Sequence, residues 1–160
     1  MAVAEIIGAA IGVLLLVVVA YLLVGGTLTA AETVMNAQKD MTLLNEARLK
    51  TSIQLTDIQP ISGTSLNFSI SNNGEETVRD IPHMDVFSFD NTTGYVHYTY
   101  SSGSGITDTW QILRFENDRI HAKELDPGVK MWIQVNLPAG VAPRIIQVTT
   151  NNGVSAVSAL

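Results

Sequence analysis

The chain begins with an apolar run that contains no charged residue from Ile6 to Val24. Thirteen of these nineteen residues are Ile, Leu or Val, and two glycines follow at positions 25 and 26. A helix of this length covers about 28 Å, close to the roughly 30 Å of a bilayer's hydrocarbon core. The pattern therefore predicts a transmembrane helix over residues 1–26.

This run has three interpretations: a retained anchor, a cleaved secretory signal and a buried core helix. A secretory signal has a basic start and an apolar run of about 7 to 15 residues, whereas here the first basic residue is Lys39. The sequence favours a retained, single-pass anchor in the cell membrane. Charge hardly determines the orientation, because only Glu5 and the terminal amine are charged before the run. A five-residue tail is most easily left behind, so we expect the large C-terminal part to be extracytoplasmic.

Two glycines in the predicted span, Gly8 and Gly12, form a G-x-x-x-G pair. Such a pair lets two helix backbones approach closely in lipid. Glycine is also common in membrane helices without any such role. We therefore name both residues as candidates for membrane-helix packing.

Residues 27–50 contain neither proline nor glycine and predict a helical neck, loosened at the preceding glycines. Five of its positions follow the alternating three- and four-residue spacing of a coiled-coil seam: Ala30, Val34, Ala37, Met41 and Leu44. Arg48 interrupts the seam after two heptads, fewer than a firm assignment needs. The seam either joins two copies of the chain or rests on the domain that follows.

Beyond Lys50 the hydrophobic period changes from helical to two residues, which indicates strands buried on one face. The alternation is plainest from Leu66 to Ile70 and from Val129 to Leu137. Six further strands are predicted over Thr51 to Ile58, Met84 to Phe89, Tyr95 to Tyr100, Thr107 to Phe115, Arg144 to Thr150 and Val154 to Val157.

Turn residues separate these strands and supply the fixed or positive φ of tight turns. They occur at Asn72 to Gly74, Asn91 to Gly94, Ser101 to Gly105, Asp126 to Gly128 and Asn151 to Gly153. Seven to nine antiparallel strands in residues 51–160 fit a two-sheet sandwich. The expected fold is mainly β: an N-terminal transmembrane α-helix with a helical neck, then an extracytoplasmic, immunoglobulin-like antiparallel β-sandwich.

The amino-acid composition argues against several classes of partner, metal site and catalytic activity. The 160 residues carry a net charge of −6 and no cysteine, which argues against nucleic acid as a partner and excludes disulfides and thiolate metal sites. His83, His97 and His121 lie on different predicted elements, so no metal site is expected. No nucleophile elbow or phosphate loop occurs, and we expect no enzyme activity, no cofactor and no small-molecule substrate.

Three residues are candidates for binding a partner. The aliphatic residues of the strand from Val129 to Leu137 point inward, which forces Trp132 to the outer face. We expect it to anchor a partner, unless the neck helix or a loop covers it. By the same alternation, if Val96, Tyr98 and Tyr100 fill the core, Tyr95 and His97 face outward, and aromatic side chains are enriched at the energetic centres of interfaces.

Two N-x-S/T sequences make Asn67 and Asn91 candidate glycosylation sites. Asn91 lies in a predicted turn and Asn67 points outward from a predicted strand. Both are accessible if the domain is exported.

Several of these segments recur together in one known family. They are an N-x-G turn followed by the D-V-F-x-F strand, the Y-x-x-Y-x-Y pattern of Tyr95, Tyr98 and Tyr100, and the L-D-P-G turn of Leu125 to Gly128 before a long alternating strand. With the N-terminal helix and the neck, the chain resembles archaellum accessory proteins F and G, stator subunits of the archaeal motility filament.

This resemblance implies a membrane-anchored β-sandwich at the archaeal cell surface that binds the surface layer or a fellow stator subunit and holds the motor fixed. The alternative is an archaellin-like or type IV pilin-like subunit that packs its helix into a filament core. Glu5, ahead of the apolar run, resembles the glutamate that pairs with a neighbouring subunit's terminus in type IV pilins. Both interpretations imply a homo-oligomer, a filament or a fellow subunit as partner.

Overall fold

The computed structural model describes residues 2–103 and 105–160, with the side chains of residues 61 and 62 excepted. The chain divides into two compact units, one up to Leu44 and one from Asn45 to Leu160. The first residue of the predicted membrane segment lies outside the described residues, as does the Ser104 position of one predicted turn.

One α-helix, α1, runs from Ala2 to Lys50 without a break. The expected loosening at Gly25 and Gly26 is wrong. Each glycine costs only about 1 kcal/mol relative to alanine, too little to interrupt a helix of 49 residues. The next turn adds side-chain bonds to the helix carbonyls, from the Thr27 hydroxyl to Val24 O at 2.9 Å and from the Thr29 hydroxyl to Gly25 O at 3.1 Å.

Helix α1 is long and apolar enough to cross a membrane, and no residue of its most apolar stretch is buried against protein. A buried core helix would be covered by other parts of the chain. That interpretation of the apolar run therefore does not describe this helix.

Eight strands follow the helix, and each corresponds to a predicted segment with its ends moved by a few residues. They are β1 (Ile53–Ser62), β2 (Ser65–Asn72), β3 (Asp85–Asp90), β4 (Gly94–Tyr100), β5 (Thr109–Glu116), β6 (Lys130–Asn136), β7 (Ile145–Thr149) and β8 (Ser155–Ala159). A short 3-10 turn spans Ile81–His83.

The strands are ordered β1-β2-β6-β5-β4-β3-β7-β8. Pairing is antiparallel within β1-β2-β6-β5 and within β4-β3-β7-β8. Strands β4 and β5 join the two sets, and they are parallel, contrary to the all-antiparallel expectation. Only two residue pairs form this junction, Thr99 with Thr109 and Tyr100 with Trp110. Parallel neighbours usually need a long crossover connection. A short connection is enough here because the two strands pair only at the end of β4 and the start of β5.

The outermost strands β1 and β8 lie beside each other, which makes a nearly closed sandwich. Its core is mostly apolar, and each buried aliphatic side chain stabilises the fold by about 1.5–3 kcal/mol. The largest buried side chains include Trp110, Tyr98, Phe68, Ile70, Leu125, Met131, Ile133, Ile146, Val135 and Val148. Val96, Tyr98 and Tyr100 face inward, with Tyr98 fully buried and the other two packed against the core.

The last turn of α1 is held by the loop after β2. Lys50 O accepts hydrogen bonds from the amides of Glu75 at 2.8 Å and Glu76 at 3.2 Å, and Ser52 O accepts from Gly74 N at 3.1 Å. A Cβ on Gly74 would lie 2.3 Å from Lys50 O. Gly74 does not adopt the positive φ predicted for it; it is required because two backbones meet there.

The turn between β7 and β8 holds the other side of the helix end. Arg48 Nη2 donates to Gly153 O at 3.2 Å, and Asn152 Nδ2 donates to Thr51 Oγ1 at 2.7 Å. Thr51 Oγ1 in turn donates to Ala47 O at 2.8 Å. Arg48 therefore interrupts the apolar seam because it binds the domain.

Candidate functional site

The two sheets present outer faces of different chemistry. We call the outer face of β1-β2-β6-β5 the ion-paired face; it includes Asp57, Ser69, Arg114, Glu116, Lys130 and Trp132. We call the outer face of β4-β3-β7-β8 the aromatic face; it includes Asp85, Phe87, Phe89, Tyr95, His97, Ile145 and Val157.

Trp132 lies at the middle of the ion-paired face and is partly buried. Its indole N–H donates to Glu116 Oε1 at 2.8 Å, and the Arg114 guanidinium carbon lies 4.6 Å from the ring centre. Arg114 also binds Glu116, with Nη2 to Oε1 at 3.0 Å. Side chains of the adjacent strand β5 thus cover the indole. The sequence pattern indicates only the neck helix or a loop as a possible cover.

A bulge in β1 supplies the second half of this network. Asp57 adopts a φ of 52° where the β1–β2 register shifts, and its Oδ2 accepts from Lys130 Nζ at 2.9 Å and from Ser69 Oγ at 2.8 Å. Ser69 is fully buried although it lies on an outer face, because the bulge and Thr56 cover it. A one-residue bulge of this kind leaves little trace in a sequence pattern.

Hydrogen bonds set the protonation of both carboxylates on this face. The bond from Lys130, followed by that from Ser69, lowers the pKa of Asp57. The bonds from Arg114 and then Trp132 lower the pKa of Glu116. Both groups are therefore ionised throughout the neutral range, and each negative charge has a cation beside it.

The aromatic face has two cross-strand ring pairs. The Phe87 and His97 rings stack with centroids 4.7 Å apart, and the Phe89 and Tyr95 rings lie 4.9 Å apart. His97 Nε2 lies 3.1 Å from Asp85 Oδ1. Tyr95 and His97 are both exposed, as their outward positions predicted, and Tyr95 is 74% exposed.

Phe87 and Phe89 are the residues of this face that sequence reasoning missed. The D-V-F-S-F-D strand can bury either its phenylalanines or the alternate set, Val86, Ser88 and Asp90. It buries the alternate set, and Ser88 Oγ shares a 2.7 Å hydrogen bond with the Tyr98 hydroxyl inside the core. Burial raises the pKa of Tyr98.

The third site-like cluster lies at the L-D-P-G turn, where His121, Glu124 and Asp126 place possible metal-ligand atoms within 4.8 Å of one another. Asp126 Oδ1 already accepts from Thr77 Oγ1 at 2.8 Å and faces His121 Nδ1 at 2.9 Å, while Glu124 lies beside Arg79 at 3.4 Å. The bond with His121 is the main cause of the lowered pKa of Asp126. These bonds hold the turn in place, so the proximity follows from local structure.

The two candidate glycosylation sites differ in exposure. Asn91 is exposed in the turn between β3 and β4. Asn67 lies on the outer side of β2, but it is partly buried and its Oδ1 is fully buried. Asn67 is therefore the less exposed of the two candidate sites.

The candidate residues of the helix are exposed in the described chain. Glu5, Gly8 and Gly12 have no covering side chains, and a Cβ on either glycine would meet nothing within 4 Å. Both glycines leave room for another helix.

An apolar groove of about 500 Å³ lies at the end of the sandwich remote from Lys50. It is formed where the ends of β1 and β8 meet the loop after β6. Its lining includes Ile58, Pro60, Leu66, Leu137, Val141 and Leu160.

The fold is similar to that of solved structures, although the sequence matches no family model. No curated protein sequence matches it either. Several chains of solved structures are similar, and three of them are archaellum proteins. The archaellum periplasmic stator protein FlaG from Sulfolobus acidocaldarius is 21% identical, with a TM-score of 0.54 over 69% of this chain and 99% of that one.

The complex of the stator proteins FlaF and FlaG from the same organism matches at 22% identity and a TM-score of 0.53, over 68% of this chain and 87% of that one. The archaeal flagellum of Methanospirillum hungatei strain JF1 matches at 16% identity and a TM-score of 0.65, over 95% of this chain and 90% of that one. At such identities the likeness is one of fold, and it is the fold of archaellum components, as the resemblance in sequence predicted.

Proposed function

We propose that this chain is a membrane-anchored stator component of an archaellum, with its β-sandwich outside the cell membrane, where it binds the surface layer or a fellow stator subunit. A stator resists the torque of a rotating filament. It therefore needs an anchor in something fixed and a domain that does not swivel on that anchor. It needs no catalytic group.

The observation that carries this proposal is the fixed end of helix α1. The backbone of Lys50 and the side chain of Arg48 are bound by two separate loops of the sandwich, and Gly74 permits the close approach. A flexible linker would carry small polar residues and few such bonds. A helix end held on two sides suits a part that must transmit force between membrane and domain.

Charges on the neck favour the stator over a filament subunit. Glu32, Lys39 and Glu46 recur every seven residues, so they share one side of the helix. All three are exposed. In the interior of a helical filament core these charges would have to be desolvated, whereas a neck that emerges from a membrane keeps them in water.

The second candidate function is a filament subunit. One specific observation favours it: the similarity to the archaeal flagellum of M. hungatei covers 95% of this chain, and so extends over the helix as well as the domain. Glu5 would then pair with a neighbouring subunit's terminus.

Shearing separates these two functions. Filaments are sheared from cells of the native host, and the chain is quantified by immunoblot in the sheared filaments and in the washed envelopes. A stator stays with the envelopes and requires detergent for release. Recovery in the filament fraction at subunit stoichiometry, or helical filaments in micrographs of the purified protein, would refute the stator and support the filament subunit.

Surface-layer binding is tested separately, by pull-down of purified surface-layer protein with the full chain in detergent. The Trp132→Ala chain tests Trp132 as an anchor residue, and Lys130→Ala is its control on the same strand. An anchor loses about 2 kcal/mol or more of binding free energy when truncated. Equal binding per folded molecule by the wild type and both variants would remove Trp132 from the interface.

A further inference from the structure

The ion-paired face changes its chemistry toward the end of the sandwich remote from Lys50. Four carboxamide side chains lie side by side there, one on each strand: Gln59 on β1, Asn67 on β2, Gln134 on β6 and Gln111 on β5. Neighbouring strands are about 4.8 Å apart, so the four amides form a row across these strands. We call this set the amide row.

The next row along the strands is also uncharged. Ser65, Asn136 and Thr109 are register partners on β2, β6 and β5. A polar cavity of about 400 Å³ touches both rows, a volume within the usual range of ligand sites, about 300–1,000 Å³. None of the described residues that line it is charged. Its lining includes Thr64, Ser65, Thr107, Gln134, Asn136 and Leu137.

Two carboxamides of the cavity have one end engaged, which fixes what the other end offers. Gln134 Oε1 accepts from Gln111 Nε2 at 2.6 Å, so its own Nε2 is the group that can donate to a ligand. Asn136 Nδ2 donates to Thr109 Oγ1 at 3.3 Å, so its Oδ1 is the group that can accept. The two residues are two positions apart on one face of β6, which places a donor and an acceptor roughly 7 Å apart along the strand.

A structural ladder is the simpler role for such a row, because amide side chains on neighbouring strands can bond one another. A closed ladder would pair each carbonyl with the next amide. Here Asn67 Oδ1 is buried without a hydrogen-bond partner among the described residues. A buried acceptor without a partner costs stability, so a closed ladder does not explain the row.

We propose that the amide row and the cavity beside it bind a neutral oligosaccharide. A sugar hydroxyl both donates and accepts, and a carboxamide offers N–H donors and a carbonyl acceptor in one plane. An anionic ligand would instead require a cation at the site, whereas the cations of this face, Lys130 and Arg114, are paired with carboxylates. The ligand that suits a set of amides and hydroxyls is therefore uncharged and rich in hydroxyl groups.

The place of the cavity in the sheet leaves it open to a chain of sugars. Ser65 begins β2 and Asn136 ends β6, so the cavity lies where these two strands meet the loops at one end of the sandwich. Asn72, at the other end of β2, pairs with Ile53 just after the helix. The cavity and the end of α1 are therefore at opposite ends of the sheet.

The test measures binding of three neutral trisaccharides, built from glucose, mannose and N-acetylglucosamine, by isothermal titration calorimetry. The full chain is held in a detergent that has no sugar headgroup. We expect a roughly millimolar Kd for at least one of them, and weaker binding of the anionic trigalacturonate. Because the ligand is uncharged, added salt should leave its Kd unchanged.

Two variants locate the site. Gln134→Ala with Asn136→Ala removes both ligand-binding amides and should weaken binding about tenfold, the equivalent of two hydrogen bonds. Ala139→Trp fills the cavity from an exposed position and should have at least that effect without removing an amide. Gln147→Ala with Asn91→Ala removes the same two side-chain types outside the site and is the matched control, for which we expect less than twofold change.

Circular dichroism melting establishes which variants fold, and Ala139→Trp alone decides the location if the amide pair does not. Four results would overturn the proposal: no binding of any neutral trisaccharide well above millimolar concentration, tighter binding of trigalacturonate, equal effects of the amide pair and its control, or unchanged binding by Ala139→Trp. The inference does not rest on the stator function, because a chain retained in the envelopes can lack sugar affinity and a chain in sheared filaments can possess it.

Discussion

The two outer faces of the sandwich are built on strands of similar length, but their side chains interact differently. One face is dominated by ion pairs and the other by contacts between aromatic rings. On the ion-paired face, Asp57 binds Lys130 and Glu116 binds both Arg114 and Trp132, so each of these charged groups has a partner within the sheet. On the aromatic face, Phe87 stacks on His97 and Phe89 contacts Tyr95, which stays largely in water.

This difference teaches that an outward aromatic residue does not by itself indicate an interface. Trp132 and Tyr95 are both outward and aromatic, and the sequence predicts both as partner-binding candidates, with Trp132 as the anchor. Neighbours on β5 occupy the indole N–H and one face of Trp132. Tyr95 has one ring neighbour and 74% exposure, so it has more surface left for a partner. The four predictions that follow test this contrast.

The largest expected effect is on stability. Trp132→Ala should lower the free energy of unfolding by about 2 kcal/mol, since a partly buried aromatic side chain loses its packing and its cation–π contact. Tyr95→Ala should cost about 0.5 kcal/mol, typical of an exposed position. Chemical denaturation of both variants measures the difference, and equal losses would erase the distinction between the faces.

The second prediction concerns acid. The pKa values of Asp57 and Glu116 are lower in the folded chain than in the unfolded chain. Their contribution to stability is therefore present above the unfolded values, about 4, and is lost as the pH falls through the folded values. The stability gap between wild type and Asp57→Asn should shrink from pH 7 to pH 3.

Tyr95→Ala is the control for that titration. No carboxylate is removed, so its stability difference from wild type should stay nearly constant over the same range. A gap for Asp57→Asn that widened in acid would contradict the assigned ion pair.

The third effect is smaller and depends on salt. Lys130→Met keeps most of the side-chain stem but removes the ammonium group that binds Asp57 at 2.9 Å. Exposed ion pairs contribute little and are screened by salt. We expect a loss below that of Trp132→Ala, measurable at low salt and reduced at 1 M salt. A loss independent of ionic strength would assign the role of Lys130 to packing.

The last prediction should leave stability unchanged. If the domain is exported in a host with N-glycosylation, Asn91 at the tip of the β3–β4 hairpin should carry glycan more readily than Asn67 in β2. Intact mass of the native protein and of an Asn91→Gln variant measures the occupancy. Modification of Asn67 with a bare Asn91 would contradict the exposure of the two sites.

Much of the fold was predictable because its signals are local. The alternation of β2 and β6 lies in consecutive residues, and the turn glycines Gly94, Gly128 and Gly153 adopt the positive φ predicted for their turns. The Asp126 turn closes with Val129 N bonded to Asp126 O at 2.9 Å, as a Pro-Gly centre predicts. The continuous helix at Gly25 and Gly26 was misjudged because local propensity was given too much weight.

The candidate site was less predictable because it depends on neighbours distant in sequence. Lys130 meets Asp57 across 73 positions, and Arg48 meets Gly153 across 105. The inward choice of Ser88 over Phe87 depends on the buried hydroxyl of Tyr98. None of these partners can be read from spacing along one strand.

By itself the sequence determined an apolar helix long enough to span a membrane and a β domain behind it, because hydrophobic period and turn chemistry act between near neighbours. Only the tertiary structure decided the strand order, the parallel junction of β4 and β5, the close approach at Gly74 and the different chemistry of the two outer faces. Those features arise where residues distant in the chain compete for one place in space, and the packing of the whole sandwich decides which of them is buried.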